Sequence, residues 1–151
     1  MQHITIASIQ PPCLDDTSAA SQKHMLETGF ALLSEALSKD TAFCCLPEYF
    51  NVFGAQAAAY CTLAANYVEV LERTCGLAAK HHSYIVLPLL VPEAGHFFNR
   101  AYLINPQGKL SGYYDKVHPT LGEQEQFNVQ AGTVPLVFDT QYGRVAMPIC
   151  Y

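Results

Sequence analysis

The order in which strand-like and helix-like apolar patterns follow one another is the feature that most restricts the fold. In the first part of the chain, short apolar runs alternate with longer stretches whose apolar residues recur every three or four positions, the spacing of one helix face. These segments predict, in order, a strand over 4–9, a helix over 19–39, a strand over 42–46, a helix over 66–81 and a strand over 83–91. The remainder predicts two antiparallel pairs, 97–104 with 110–114 and 134–138 with 144–149. We therefore predict an α/β fold with mixed sheets whose helices cover one face of each sheet, because a wholly parallel sheet would not end in hairpins.

The composition indicates a single compact unit and argues against two classes of partner. Half of the 151 residues are hydrophobic and 14% are charged, and no linker or internal repeat interrupts the chain. The net charge is −5, and the eight Lys and Arg residues form no cluster that could neutralise phosphates, so we expect no nucleic-acid binding. The longest apolar run, 85–91, is too short to cross a bilayer, so we expect no membrane insertion.

The six cysteines are consistent with a protein of the reducing cytoplasm. The N-terminus lacks the basic segment and long apolar run of a secretory signal, which removes the context in which disulfide frameworks form. The cysteine spacings contain no C-x-x-C pair and no zinc-finger pattern. We expect a cytoplasmic location, free thiols and no metal site, with most of the cysteines buried as small apolar side chains.

Three residues with complementary chemistry each follow a strand-like run. Glu48 comes directly after 43–47, Lys116 after 112–115 and Cys150 after 145–149. Each of them alone is most often a structural or surface residue, but side chains at strand ends are held rigidly and can face a pocket. A thiol, a carboxylate and an ammonium group together suffice for acyl transfer, because the thiolate attacks, the carboxylate moves protons and the cation stabilises the oxyanion.

The residues around these three positions resemble the nitrilase, or carbon–nitrogen hydrolase, superfamily. The resemblance covers essentially the whole chain, and its motifs stand in the family's order: Leu46-Pro47-Glu48-Tyr49-Phe50, then 99–108 (NRAYLINPQG) continued through 112–118 (GYYDKVH), then 143–151 (GRVAMPICY). Two positions depart from the pattern, since Pro148 stands two residues before the cysteine and Pro119 follows His118. The resemblance implies an α-β-β-α sandwich with mixed sheets, of which residues 1–151 form the N-terminal half as a single incomplete domain.

The resemblance also implies a role for each of the reactive residues. Glu48 matches the family's general base and acid, Lys116 the cation that stabilises the tetrahedral intermediate, and Cys150 the nucleophile. Glu123 is similar to a further glutamate that orients the site, although Glu125 lies two residues on and leaves that assignment open. The chemistry implied is attack of the thiolate on the carbon of an amide or nitrile, departure of the nitrogen as ammonia or an amine, and hydrolysis of the resulting thioester by water.

Three further residues are expected at the substrate pocket. The backbone N–H of Tyr151 would assist Lys116, Tyr49 would form a pocket wall or part of the core, and His118 would shape the pocket or make a structural hydrogen bond. The implied chemistry requires no metal and no organic cofactor. The implied substrate is a small nitrile, amide or N-carbamoyl compound, and the full-length parent is implied to be a homo-oligomer.

Two interpretations of function stay open at this point. In the first, the chain is the N-terminal portion of a carbon–nitrogen hydrolase, a gene fragment or otherwise incomplete sequence, and has little activity alone because its site lacks a far wall. In the second, it is a non-catalytic relative of that family that binds or assembles with other molecules. A generic Cys–His thiol enzyme is less favoured, because no histidine stands out as the base.

Overall fold

A mixed five-stranded sheet forms the centre of the molecule. The computed structural model describes residues 3–13, 18–134 and 136–150. The strands of this sheet, in spatial order, are β1 (Ile6–Ser8), β2 (Phe43–Cys45), β3 (Tyr84–Glu93), β4 (His96–Ile104) and β5 (Leu110–Asp115). The first three are mutually parallel, whereas β3, β4 and β5 form an antiparallel meander. The mixed α/β fold predicted from the sequence is therefore confirmed.

Two helices cover one face of this sheet. They are α1 (Ala19–Leu37), which Ser18 caps by accepting from the N–H of Ser21, and α3 (Tyr67–His81). The predicted apolar stripe of α1 lies in the core, with Phe30, Leu33 and Leu37 buried against the sheet. Strand residues at alternate positions meet these helices, because successive side chains of a strand point to opposite faces.

A second, two-stranded sheet packs on the opposite face. Its strands are β6 (Val137–Thr140) and β7 (Gly143–Ala146), and they pair antiparallel across a turn at 141–142. The apolar cluster between the two sheets includes Phe43, Ala101, Met147 and Ile149. Close contact requires a glycine at one point, because a Cβ on Gly112 would clash with the ring of Phe138. The described residues thus form three layers, of helices, five strands and two strands.

Five shorter helical segments complete the described part of the chain. Residues 50–66 contain the 3₁₀ helices Phe50–Val52, Ala57–Ala59 and Ala64–Asn66, and the single α-helical turn α2 (Tyr60–Leu63). The helix α4 (Leu121–Phe127) follows β5 and begins at the cap residue Thr120. No helix among the described residues is long and apolar enough to span a membrane.

Several sequence expectations are wrong in detail. The first strand is not buried: β1 lies at the edge of the five-stranded sheet, and Ile6 is 66% exposed because its face of the sheet is incompletely covered there by the described residues. The strand predicted over 144–149 ends early, at Ala146. Two residues later, Pro148 has no backbone N–H that could donate to a neighbouring strand.

The expected burial of most cysteines is also wrong, although all six are free thiols. Only Cys44 is buried, and Cys75 is partly exposed. The other four lie at the surface because they stand at strand ends, in loops or on an outer helix face: Cys13, Cys45, Cys61 and Cys150.

Candidate active site

Four elements meet at one end of the five-stranded sheet and bring four polar side chains together. Glu48 follows β2, Asn99 lies within β4, Lys116 directly follows β5, and Glu123 lies in the first turn of α4. Because β4 and β5 are antiparallel, their pairing sets Lys116 beside Asn99: the Lys116 N–H donates to the Asn99 carbonyl oxygen at 2.9 Å. Residues far apart in the chain therefore form one polar cluster.

Lys116 is the centre of this cluster. Its side chain is 2% exposed, and its Nζ lies 3.1 Å from Glu48 Oε1 and 2.9 Å from Glu123 Oε2. A second contact of 3.1 Å joins Nζ to Glu123 Oε1. A buried ammonium group needs such partners, because burial without them would cost several kcal/mol, about 5 or more.

The backbone around Lys116 is fixed from both sides. The N–H of Gly132 donates to the Lys116 carbonyl oxygen at 2.9 Å. On the other face of the sheet, Arg100 holds Asp115 with two hydrogen bonds of 2.6 and 3.0 Å. These contacts hold the end of β5, so the lysine side chain enters the cluster from a rigid support.

Asn99 connects the two glutamates and is a residue that the sequence analysis missed. Its Nδ2 donates to Glu48 Oε1 at 2.7 Å and to Glu123 Oε1 at 2.9 Å. The residue is fully buried, and its Oδ1 has no hydrogen-bond partner within the described part of the chain. One sequence signal could have indicated Asn99: it is an amide residue on a strand face whose other residues, Ala101 and Leu103, are apolar.

Glu123, and not Glu125, is the second glutamate of the cluster. It is 7% exposed, whereas Glu125 is on the outer side of α4. Its Oε2 accepts from the Thr120 N–H at 2.7 Å, and Thr120 Oγ1 accepts from the Glu123 N–H at 3.2 Å, which together form a capping box. The Tyr49 hydroxyl donates a third side-chain hydrogen bond to this carboxylate.

The electrostatics of the cluster keep Glu123 and Lys116 ionised. Burial opposes ionisation of Glu123, but hydrogen bonds from Tyr49, the Thr120 N–H, Lys116 and Asn99 outweigh it and lower its pKa to about 2. Burial likewise opposes the charge on Lys116, and the hydrogen bonds and attraction of Glu123 and Glu48 outweigh it and raise that pKa above its ordinary value. Burial and the contact with Glu123 raise the pKa of Tyr49, so its hydroxyl stays protonated and donates.

Glu48 and Cys150 line the same cleft, which opens between the two sheets. The cleft has a volume of about 330 Å³, and its other walls are mostly apolar, including Val86, Ala101 and Ile149. The Glu48 side chain is 35% exposed, so it reaches both the buried Lys116 and the open cleft. Cys150 is exposed and has a φ of +47°, in the left-handed region that non-glycine residues rarely adopt outside functional sites and turns.

The remaining predicted pocket residues lie elsewhere. Tyr49, with a φ of +57°, contacts Glu123 and stacks edge-on against Tyr60, and it does not line the cleft. His118 is exposed, and it makes no hydrogen bond to Glu48, Lys116 or Glu123 in the described structure. The Tyr151 backbone N–H, assigned to charge stabilisation, lies outside the described residues. Over residues 3–13, 18–134 and 136–150, no group of three His, Cys, Asp or Glu side chains could hold a metal ion.

Comparison with known proteins identifies the family. The sequence model of the family "Carbon-nitrogen hydrolase" matches residues 5–151, so the chain belongs to the carbon–nitrogen hydrolase family that its motifs resemble. Among curated proteins, it is similar to beta-ureidopropionase from Arabidopsis thaliana, with 30% identity over 107 residues that cover 62% of this chain and 26% of the relative. It is also similar to the probable hydrolase YhcX of Bacillus subtilis, with 39% identity over 61 residues, 40% of this chain and 12% of that protein.

Solved structures show the same fold. A carbon–nitrogen hydrolase from Helicobacter pylori G27 superposes with a TM-score of 0.79 at 22% identity, covering 97% of this chain and 51% of the other. An amidase from Nesterenkonia sp. superposes with a TM-score of 0.80 at 22% identity, covering 99% and 56%. The chain therefore spans about half the length of the solved relatives that it matches.

Proposed function

We propose that this chain is the N-terminal portion of a hydrolase that cleaves carbon–nitrogen bonds in a small amide, nitrile or N-carbamoyl compound. The observation that carries the proposal is the contact of Glu48 with the buried Lys116 at the edge of the cleft that also holds Cys150. Family membership and the similarity to an amidase and a beta-ureidopropionase support the same reaction class. Each of the three groups has a distinct use in acyl transfer.

With an amide as substrate, the proposed reaction proceeds in two halves. Glu48 accepts the thiol proton while Cys150 sulfur bonds to the carbonyl carbon, and the negative charge that develops on oxygen is stabilised by Lys116. Glu48 then gives the proton to the leaving nitrogen, the carbon–nitrogen bond breaks, and a thioester remains. A water molecule loses a proton to Glu48 and attacks the thioester carbon, the carbon–sulfur bond breaks, and the acid leaves as Cys150 regains a proton.

Asn99, Glu123 and Tyr49 position the reacting groups in this proposal. Asn99 and Lys116 both contact Glu48 Oε1, which fixes that carboxylate while its other oxygen stays available. Glu123 carries a charge that keeps Lys116 protonated, so the cation is present throughout the reaction. Tyr49 holds Glu123 and acts through it, so its proposed role is to position that carboxylate and not to form a wall of the substrate pocket.

The far wall of the cleft is proposed to come from residues that the relatives have beyond the matched half. We infer that the 151-residue chain alone turns over little amide substrate, because one side of the cleft is open. We further propose a cytoplasmic location and, for the full-length parent, a homo-oligomer.

Thiol reactivity tests the proposal without requiring turnover. Chloroacetamide is added to the 151-residue chain near neutral pH, and the rate of alkylation at each cysteine is measured by peptide mass spectrometry. Cys150 is expected to react at least about ten times faster than the exposed Cys13 and Cys61, because a nearby base increases the reactive thiolate. Glu48→Gln is expected to remove that advantage, whereas the matched Glu72→Gln variant, at an exposed position of α3, is expected to keep it.

Equal rates at the three cysteines, in wild type and both variants, would contradict the proposal and favour a non-catalytic binding protein. Ammonia release from a primary amide is measured in parallel. Turnover that Cys150→Ser abolishes would support the hydrolase and would refute the inference that the 151-residue chain has little activity.

A further inference from the structure

We propose that Arg100 is a positioning residue for the candidate active site: it fixes the register of β4 against β5 and thereby places Asn99 and Lys116. The proposal rests on the proposed function, because these two side chains hold Glu48. Arg100 directly follows Asn99 in β4, and its register partner Asp115 is the last residue of β5. The residue after Asp115 is Lys116. Successive side chains of a strand point to opposite faces, so a contact between Arg100 and Asp115 on one face fixes their neighbours on the other.

The buried guanidinium of Arg100 joins three strands. Its Nε donates to Asp115 Oδ1 at 2.6 Å, and its Nη2 donates to Asp115 Oδ2 at 3.0 Å. The Nη1 donates to Glu93 Oε2, at the end of β3, at 2.8 Å. The Cζ atom lies 4.0 Å from the ring centre of Tyr113 and 5.2 Å from that of Phe98. Because a planar guanidinium bonds a carboxylate with two parallel hydrogen bonds, the contact favours one alignment of β4 and β5.

The pairing of β4 with β5 is irregular near its turn, which makes a second fixed point necessary. Ile104 lies opposite Leu110, and the next pair of the ladder skips Ser111 at a β-bulge. Loss of the bulge would slide the rest of β5 by one residue, and such a slip turns each side chain to the other face of the sheet. Lys116 would then point away from Glu48 and Glu123. The contact of Arg100 lies at the far end of the same ladder, where it opposes this slip.

A second arginine makes similar contacts away from the site and supplies a matched control. Arg73 donates two hydrogen bonds, of 2.6 and 2.8 Å, to the carboxylate of Glu27. Its Cζ lies 3.8 Å from the ring centre of Phe30. This pair joins α3 to α1, whereas Arg100 lies in a strand that carries a residue of the cluster. Loss of Arg73 therefore removes a contact of the same kind without changing the register of β4 and β5.

Side-chain NMR signals of the 151-residue chain test the register directly. The NH₂ group of Asn99 and the ammonium group of Lys116 give signals that depend on their hydrogen bonds to the two carboxylates. Arg100→Met keeps the apolar stem and removes the guanidinium, and it is expected to shift both signals. Arg100→Lys keeps the charge but loses the two-bond contact, and it is expected to shift them less. Arg73→Met is expected to leave both signals unchanged.

The rate of Cys150 alkylation by chloroacetamide connects the register to the proposed chemistry. Relative to the exposed Cys61 of the same chain, this rate is expected to fall at least about tenfold in Arg100→Met, because small displacements of positioning groups cost large factors in rate. Arg100→Lys is expected to give an intermediate rate, and Arg73→Met the wild-type rate. Cys44 is buried and reacts only when the chain opens, so its alkylation identifies a variant that has unfolded. If Arg100→Met unfolds, the milder Arg100→Lys decides the test.

Three results would overturn the proposal. Unchanged Asn99 and Lys116 signals in a folded Arg100 variant would show that the register does not depend on Arg100. Equal shifts in Arg73→Met would show that loss of any such ion pair disturbs the cluster. Shifted signals with a wild-type rate at Cys150 would show that the register does not act on the reactive thiol. If Cys150 of the wild-type chain reacts no faster than exposed thiols, the proposed function fails, and the NMR signals alone decide whether Arg100 sets the register.

Discussion

Lys116 shows how a single residue depends on its partners for burial. Its ammonium group lies out of contact with water and is balanced by Glu123 and Glu48 at 2.9 and 3.1 Å. Asn99 supplies a further donor to both carboxylates, so two anions share one cation and one amide. Removal of Lys116 would leave the two carboxylates without a cation, and this makes the lysine a determinant of stability as well as of the proposed chemistry.

Lys116→Met is expected to lower the free energy of unfolding by about 3–5 kcal/mol, because two carboxylates then face each other without a cation. The measurement is urea unfolding followed by far-UV circular dichroism at pH 7. Lys109→Met, at an exposed position, is the control and is expected to change stability by less than about 0.5 kcal/mol. Adding Glu123→Gln to Lys116→Met is expected to restore part of the loss; a double variant no more stable than the single one would contradict this account.

Glu123 is expected to make stability depend on pH in the acid range. Its pKa is about 2 in the folded chain against an ordinary value of 4.5, so the unfolded chain binds the proton more readily. The resulting stabilisation, about 3 kcal/mol, is present above pH 5 and is lost as the pH falls through 4.5 toward 2. Urea unfolding between pH 6 and pH 3 is expected to show a smaller loss for Glu123→Gln than for wild type, whereas the exposed control Glu125→Gln should follow wild type. Equal losses in all three proteins would refute the assignment.

At the scale of elements, α4 is the segment that the periodicity of the sequence did not reveal. It has only seven residues, too few to show a helical apolar stripe, yet its start carries the pattern Thr120-Leu121-Gly122-Glu123, with a capping threonine followed three residues later by glutamate. The capping box has a second effect here, because it points the Glu123 carboxylate at Lys116. A local helix signal thereby fixes one side of the candidate active site.

Thr120→Ala is expected to lower the free energy of unfolding by about 1 kcal/mol, the usual cost of losing a helix cap. Thr120→Ser keeps the hydroxyl and should lose much less, and Thr133→Ala, at an exposed position, should be nearly neutral. The measurement is the midpoint of thermal unfolding for the four proteins. A result in which Thr120→Ala and Thr133→Ala unfold at the same temperature would show that the cap contributes nothing.

For the whole molecule, the arrangement of the layers decides where the reactive groups meet. The five-stranded sheet supplies Asn99 and the ends that carry Glu48 and Lys116, whereas the segment after β7 supplies Cys150. The cleft exists because the second sheet packs across the first and leaves a gap beside Ala101. The proposed chemistry is therefore a property of two sheets in contact, and neither sheet alone contains all of its groups.

The sequence by itself determined the order of the main strands and the two long helices, and it determined the family. Apolar spacing reports which face of a helix or strand is buried, and this information is local, so α1, α3 and the antiparallel pairs were predictable. The family motifs marked Glu48, Lys116 and Cys150, but spacing could not choose between Glu123 and Glu125. Residues two positions apart on a helix point in different directions, and only the packing of the helix shows which of them faces the core.

Only the tertiary structure decided which polar groups share a site. Asn99 lies 51 residues from Glu48 and 24 from Glu123, and its amide contacts both because three elements converge at that end of the sheet. The exposure of β1 and the early end of β7 depend in the same way on which strands are adjacent. Hydrogen bonding and burial between distant segments depend on packing in three dimensions. A local pattern of residues does not predict which distant segments will pack together.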